Sequence, residues 1–311
     1  MSKKHAIGLR LDGAHIRVAL VGEDGEIIRK IKQPSSEDIL DTSCRAIEAI
    51  KNSEIVGIGI GVAGLVDRKN GTVLISPNLP AAEGVKIVRE IQSRYRVPTI
   101  IENDTNVSAL GEKVCGTGKS FNNFVLLTLD AGIGGGIINQ GRMLNISAEL
   151  GHMSINAEGQ KCPCGNIGCL ENYASARSMI TKALQMLEGG TESLLKECYE
   201  GSFYKITADD IYKTALEGDT LAREILRNAG KHLGVGLANI INTLSPEAII
   251  LTGGLIGAWN IYVQEAIREA SRRAFKHLFD SVKIIPSSLG EDAGVIGAAC
   301  LVFNELSIES R

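Results

Sequence analysis

The sequence predicts an α/β protein that runs through one plan twice. Short apolar runs separated by glycine-containing turns open each half of the 311-residue chain. Segments with apolar residues at helical spacing follow them, and glycine-rich turns come directly after several of the apolar runs.

Residues 6–11, 16–21 and 26–31 are apolar-rich and are separated by Asp12-Gly13 and Glu23-Asp24-Gly25, so they read as a three-stranded antiparallel meander. Ser35 or Ser36 can cap a helix reaching about residue 52, with Leu40, Cys44, Ile47 and Ile50 on one face. Residues 55–62 are apolar and glycine-rich, which suits a buried strand approached closely by other backbone. A helix near 85–95, a strand near 99–102 and a helix from 104 to about 115 complete a βββαβαβα domain over residues 1–115. A second cycle, over residues 116–291, opens after Cys115-Gly116-Thr117-Gly118 with two strands near 124–129 and 136–139. A long helix from about 220 to 244 carries Leu221, Ile225, Leu233, Leu237 and Ile240 and is ended by Ser245-Pro246. Buried strands near 248–251 and 282–285 follow, then a helix from about 292 to 303.

Composition bounds the function. Hydrophobic residues are 44% and charged residues 22% of the chain, too apolar for general disorder. With 33 basic against 36 acidic side chains the net charge is -3, which gives nucleic acid or an anionic membrane no overall attraction. Apolar runs stop far short of a spanning helix, and Met1-Ser2-Lys3-Lys4-His5 leads into Gly8, Arg10 and Asp12 rather than a signal core. The expectation is a cytoplasmic protein without direct nucleic-acid or membrane partners.

Of seven cysteines, three fall in Cys162-Pro163-Cys164-Gly165-Asn166-Ile167-Gly168-Cys169. Two glycines let this loop wrap, so three thiolates can meet at one point as tetrahedral zinc requires, and His152, ten residues upstream, is the candidate fourth ligand. The alternative is ordinary cysteines in a Gly-rich loop; a disulfide is disfavoured without a secretory signal. Cys44, Cys115, Cys198 and Cys300 read as packing residues.

Glu102-Asn103-Asp104 sits where a strand ends and a helix begins, the usual ligand-binding edge of an open α/β sheet. A carboxylate there can take a proton from a substrate hydroxyl; from this segment alone the preferred reading is that Asp104 merely caps the helix, with Thr105 and Asn106 able to serve as caps nearly as well. The turns Ala131-Gly132-Ile133-Gly134-Gly135-Gly136 and Leu251-Thr252-Gly253-Gly254-Leu255 can offer backbone N–H groups to phosphate, or can reflect tight packing alone.

Together these pieces resemble the ROK family of sugar kinases and sugar-responsive repressors. The match is carried by Cys162-x-Cys164-Gly165-x-x-Gly168-Cys169-Leu170-Glu171-x-Tyr173-x-Ser175, with Gly59 to Asp67, Ser76-Pro77-Asn78-Leu79, Glu102-Asn103-Asp104, Glu149-x-Gly151-His152 and Gly132 to Gly136 in the family's order. It covers nearly the whole chain. The resemblance implies an actin-like (ribonuclease H-like) ATPase fold, two α/β domains with a sugar cleft between them, the first completed by the C-terminal helix within residues 292–311. It implies that Asn103, Asp104, Glu149, His152 and Glu171 hold a hexose or N-acetylhexosamine, with Asp104 as general base toward the 6-hydroxyl. It further implies Gly13, Gly132, Gly134, Gly135, Gly253 and Gly254 around Mg²⁺-ATP, a structural zinc on His152, Cys162, Cys164 and Cys169, and a homodimer or homotetramer.

The phosphate motifs depart from the family pattern. ROK kinases usually carry Asp-x-Gly-Gly-Thr-Lys in the first hairpin, where this chain has Arg10-Leu11-Asp12-Gly13-Ala14-His15. The second usually reads Gly-Thr-Gly, where this chain has Asp130-Ala131-Gly132. Each added carboxylate near a triphosphate costs about 1 kcal/mol or more, which Arg10 can offset by pairing with phosphate or with Asp12. Two expectations follow: an ATP-dependent hexokinase of the glucokinase kind, or a sugar-sensing pseudokinase. The repressor branch carries a DNA-binding segment for which there is no room before Ala6.

Overall fold

The computed structural model describes residues 4–309, so positions 310 and 311 of the expected C-terminal segment lie outside the described residues. The chain runs β1 (His5–Leu11), β2 (His15–Gly22), β3 (Ile27–Pro34), α1 (Ile39–Ile50), β4 (Ile55–Val62), β5 (Leu65–Asp67), β6 (Thr72–Ile75), α2 (Ile87–Tyr95), β7 (Thr99–Asn103) and α3 (Asp104–Cys115). It continues through β8 (Phe124–Leu129), β9 (Ile133–Asn139), β10 (Arg142–Met143), α4 (Glu171–Ala174), α5 (Ala176–Glu188), α6 (Ala208–Leu216), α7 (Thr220–Leu244), β11 (Ala248–Thr252), α8 (Gln264–Arg273), α9 (Lys276–Ser281), β12 (Lys283–Pro286) and α10 (Ala293–Glu309). The strands form two five-stranded sheets, ordered β3-β2-β1-β4-β7 and β10-β9-β8-β11-β12, and the small hairpin β5-β6. The expected meander is the antiparallel part of the first sheet, and β4 and β7 join β1 in parallel.

Two compact units emerge. The first comprises Met1–Leu126, Gly136–Ala148 and Ser287–Arg311; the second comprises Leu127–Gly135 and Glu149–Pro286. Their bounds differ from a single cut at residue 115, because residues 116–126 and 136–148 cluster with the first unit.

In the first unit, alternation along β1 decides what covers each face. Ile7, Leu9 and Leu11 join Ile16 and Val18 of β2 against Ile39, Ile47 and Ile50 of α1 and Ile87 and Ile91 of α2. Ala6, with Ala19 and Val21, faces Val295, Ala299 and Val302 of α10. Small residues on this second face let the helix come close: a Cβ on Gly8 or Gly59 would collide with the carbonyl oxygens of Val295 and Ala298. Each fully buried isoleucine or leucine contributes roughly 1.5–3 kcal/mol. The helix after β3 is capped by Asp38, whose carboxylate accepts from Asp41 N at 2.8 Å, rather than by Ser35 or Ser36. The Ser36 hydroxyl is instead spent on Asp38 O and Thr42.

In the second unit, β11 is buried along its whole length. The 25-residue α7 starts on an Asp219 cap and stops where Ser245 turns left-handed, ahead of Pro246. Sequence periodicity did not reveal α5, α6 or the β5-β6 hairpin. Among the described residues, no helix is long and apolar enough to cross a membrane.

Candidate functional site

The parallel pairing of β4 with β7 ends at Val62↔Asn103, and α3 begins on the next residue. Asn103, not Asp104, caps this helix: its side-chain oxygen accepts from Thr105 N at 2.8 Å and Asn106 N at 3.2 Å. Its amide nitrogen donates to Gly64 O at 3.0 Å. The cap reading of Asp104 is thereby overturned, for the physical reason that Asn103 already satisfies the open N–H groups. Asp104 is 9% exposed, and Arg10 Nη2 donates to its Oδ2 at 3.1 Å. Among the described residues no protein group pairs with its Oδ1. The N-terminus of α3 adds a favourable field for the carboxylate.

Beneath this pair lies Glu102, 3% exposed. Its Oε1 accepts from Asn103 N at 2.7 Å and Asn106 Nδ2 at 2.9 Å, and its Oε2 lies 2.5 Å from Arg68 Nη2. Sequence reasoning assigned Glu102 no role; three polar residues ending an apolar strand were the available signal.

In the first hairpin, Arg10 pairs with Asp104 rather than with Asp12. Asp12 is taken by Arg17 and by the backbone N–H groups of Ala14 at 3.0 Å and His15 at 2.8 Å, in the turn that holds Gly13. Burial of Asp12 works to raise its carboxyl pKa, but the His15 amide, the Arg10 and Arg17 charges and the Ala14 amide prevail and hold it below the ordinary carboxylate value. The hairpin thus presents a cation where the family pattern has an acid, and its one carboxylate is already compensated. It does not fit a magnesium-binding acid.

The glycine turns of the second unit are likewise engaged. Asp130 Oδ1 accepts from Gly254 N at 2.6 Å. Gly253 takes φ +99°, a backbone region that side chains rarely enter, and a Cβ there would strike Leu129 O. Ile133 N donates to Glu171 Oε2 at 2.7 Å, with Gly132 packed against the same carboxylate. Gly134 and Gly135 lie inside β9 rather than in the turn before it.

Cys162, Cys164, Cys169 and His152 come together as their spacing requires. Cys162 N donates to Asn166 O and Gly165 N to Cys162 O, folding the loop back on itself. The three Sγ atoms and one ring nitrogen lie within 4.8 Å of one another. Cys162 Sγ is 3.7 Å from His152 Nδ1, and Cys164 Sγ is 3.7 Å from Cys169 Sγ. Tetrahedral zinc with Zn–S near 2.3 Å separates its sulfur ligands by about 3.8 Å, so the set fits that ion. Burial first, then its two sulfur neighbours, push the Cys169 thiol up to about 12. A bound cation would relieve that cost by stabilising the thiolates. The other ring nitrogen of His152, Nε2, lies 4.0 Å from Glu149 Oε2. No direct contact joins His152 to Glu171 among the described residues.

The remaining cysteines divide. Cys44 and Cys300 are buried, whereas Cys115 and Cys198 are partly exposed. A hydrogen bond with Cys300 draws the Cys115 thiol down to about 7, against burial.

The sequence model of the ROK family matches residues 6–305. The glucokinase of Thermotoga maritima is 34% identical over 312 residues, spanning 97% of this chain and 98% of that protein. The xylose repressor of Bacillus subtilis is 35% identical over 254 residues, spanning 80% of this chain and 62% of that protein. Among solved structures, the chain is similar to a ROK family glucokinase from Streptomyces griseus in complex with glucose and AMPPNP. That likeness has a TM-score of 0.86 and 30% identity, covering 96% of this chain and 99% of the other.

Proposed function

Starting from the ROK family, to which this chain belongs, we propose that the protein is an ATP-dependent hexose kinase that phosphorylates the sugar 6-hydroxyl. Asn103, Asp104, Glu149, His152 and Glu171 hold the sugar. The observation that carries this is the division of labour at the start of α3: Asn103 does the capping, and Asp104 keeps Oδ1 for a substrate proton. In the proposed step, that proton passes from O6–H to Asp104 Oδ1 as O6 attacks the γ-phosphorus of ATP. The bond to the β,γ-bridging oxygen breaks and ADP leaves. Phosphoryl transfer depends chiefly on positioning and charge compensation, which fits a carboxylate locked in direction by Arg10 and by the helix N-terminus. Zinc on His152, Cys162, Cys164 and Cys169 would supply no chemistry beyond fixing the loop and the ring orientation of His152. Arg10 stands where the family has its acid, so the first hairpin offers a magnesium ion no carboxylate at that position.

A second reading is a sugar sensor that no longer turns over ATP. Two observations favour it: Arg10 occupies one oxygen of Asp104, and Asp130 occupies the Gly254 amide that would otherwise be offered to phosphate. ADP release from Mg-ATP with glucose, mannose, fructose, N-acetylglucosamine and N-acetylmannosamine separates the two. Sugar-dependent ADP release that Asp104→Asn lowers by about a hundredfold or more, with sugar affinity kept within about threefold, supports the kinase. Calorimetric sugar binding with neither ATP binding nor turnover decides for the sensor.

A further inference from the structure

A cavity lies in the first unit, with neither Asn103 nor Asp104 among its lining residues. It has a volume of about 550 Å³ and is lined by the turn of the β5-β6 hairpin, one face of α2 and the start of β7. The turn brings Arg68 and Lys69, and α2 brings Arg89, Gln92 and Ser93. Asp67 holds the turn in place, accepting from Asn70 N at 3.0 Å and Asn70 Nδ2 at 2.7 Å. Among the described residues lining the cavity there are three cations and no carboxylate. Such a lining concentrates anions, and guanidinium groups beside hydroxyl and amide side chains suit a phosphate carried on a polar body.

Arg68 also faces inward. Its Nη2 lies 2.5 Å from Oε2 of the buried Glu102, and Oε1 of Glu102 holds Asn103 N and Asn106 Nδ2. One guanidinium therefore links the cavity to the residues that set the start of α3, where Asp104 sits. We propose that the cavity binds a phosphate-bearing small molecule, and that this ligand competes with Glu102 for Arg68 and so shifts the sugar affinity of the protein. The element with two states is the Arg68 side chain, which pairs either with Glu102 or with the ligand; release from Glu102 loosens the hold on Asn103 and Asn106. The coupling rests on the proposed sugar-binding role of Asn103 and Asp104, whereas binding in the cavity does not.

Calorimetry on the full chain tests both parts, with inorganic phosphate and glucose 6-phosphate as probes, each alone and with the best-binding sugar of the panel at saturation. The expected result is binding that survives saturating sugar and weakens about tenfold or more in the Lys69→Ser, Arg89→Ser double variant. Sugar affinity without phosphate should stay within about twofold in that variant. Tighter binding of glucose 6-phosphate identifies a phosphate ester as the ligand; equal binding of both probes identifies the free ion. Saturating the tighter probe should change the sugar Kd about threefold or more, and by thermodynamic reciprocity the sugar should change the probe's Kd by the same factor. Arg68→Lys, which keeps a charge beside Glu102 but loses the planar fork, should reduce that factor. Binding of neither probe, displacement of both by sugar, or indifference to the double variant overturns the site. An unchanged sugar Kd overturns the coupling. If no sugar binds at all, the sugar-site reading fails while the phosphate titration still decides the cavity.

Discussion

The Arg10–Asp104 ion pair yields the most demanding prediction. Both side chains are 12% exposed and their nitrogen and oxygen are 3.1 Å apart. Charge centres about 4 Å apart at an effective dielectric near 20 attract by about 4 kcal/mol, and desolvation returns part of that. A double-mutant cycle with Arg10→Met, Asp104→Asn and the combination should therefore give a coupling energy of about 2–3 kcal/mol. Arg10→Met alone should cost about 3 kcal/mol, because it leaves a nearly buried carboxylate without its cation, and adding Asp104→Asn should recover much of that loss. Urea is the right denaturant, since guanidinium salt would screen the pair; circular dichroism, with m-values compared across the four proteins, reads the result. A coupling energy below about 0.5 kcal/mol would refute the pair as a structural and positioning feature, and with it the claim that Arg10 fixes the direction of Asp104.

Three further outcomes can be checked directly. Purified protein should contain about one zinc per chain by atomic emission, and Cys164→Ser should lower that content sharply; a stoichiometry well under one in protein never exposed to chelator would reject the His152, Cys162, Cys164, Cys169 site. Asp130→Gly should strengthen ATP binding about tenfold by calorimetry, because it removes a carboxylate and frees the Gly254 N–H; unchanged affinity would mean that ATP does not meet this turn. Iodoacetamide should modify Cys115 first among the partly exposed thiols. Its rate should rise through about pH 7, where the thiol loses its proton, and level off above; a rise only near pH 9 in peptide-mapped product would contradict the Cys300 hydrogen bond.

Legibility in the sequence tracked the range over which the responsible forces act. The meander was readable because its strands and turns are consecutive, and the metal-ligand spacing was readable because Cys162, Cys164 and Cys169 lie on one short loop. Which of Asn103 and Asp104 caps α3 was not, since both residue types make good caps and only the backbone entry angle from β7 decides between them. The partner of Arg10 was not legible either: Asp12 is two residues away but lies in the turn beyond β1, where the Ala14 and His15 N–H groups and Arg17 of β2 take its carboxylate instead. Asp104 is 94 residues distant, and only the adjacency of β1, β4 and β7 brings it near. The pairing of Glu102 with Arg68 was not legible for the same reason. The short β5-β6 hairpin offered too few residues for a periodicity to register.

The cover that α10 gives to Ala6, Ala19 and Val21 has a consequence for vectorial synthesis. Those side chains leave the ribosome ahead of the whole second unit, whereas Val295, Ala299 and Val302 follow only after every residue of it. The second unit can therefore consolidate while the first still displays one apolar face of its sheet. During that interval the nascent chain is exposed to mispairing and to chaperone capture, and slowing translation within α10 would lengthen the exposure without altering the finished protein.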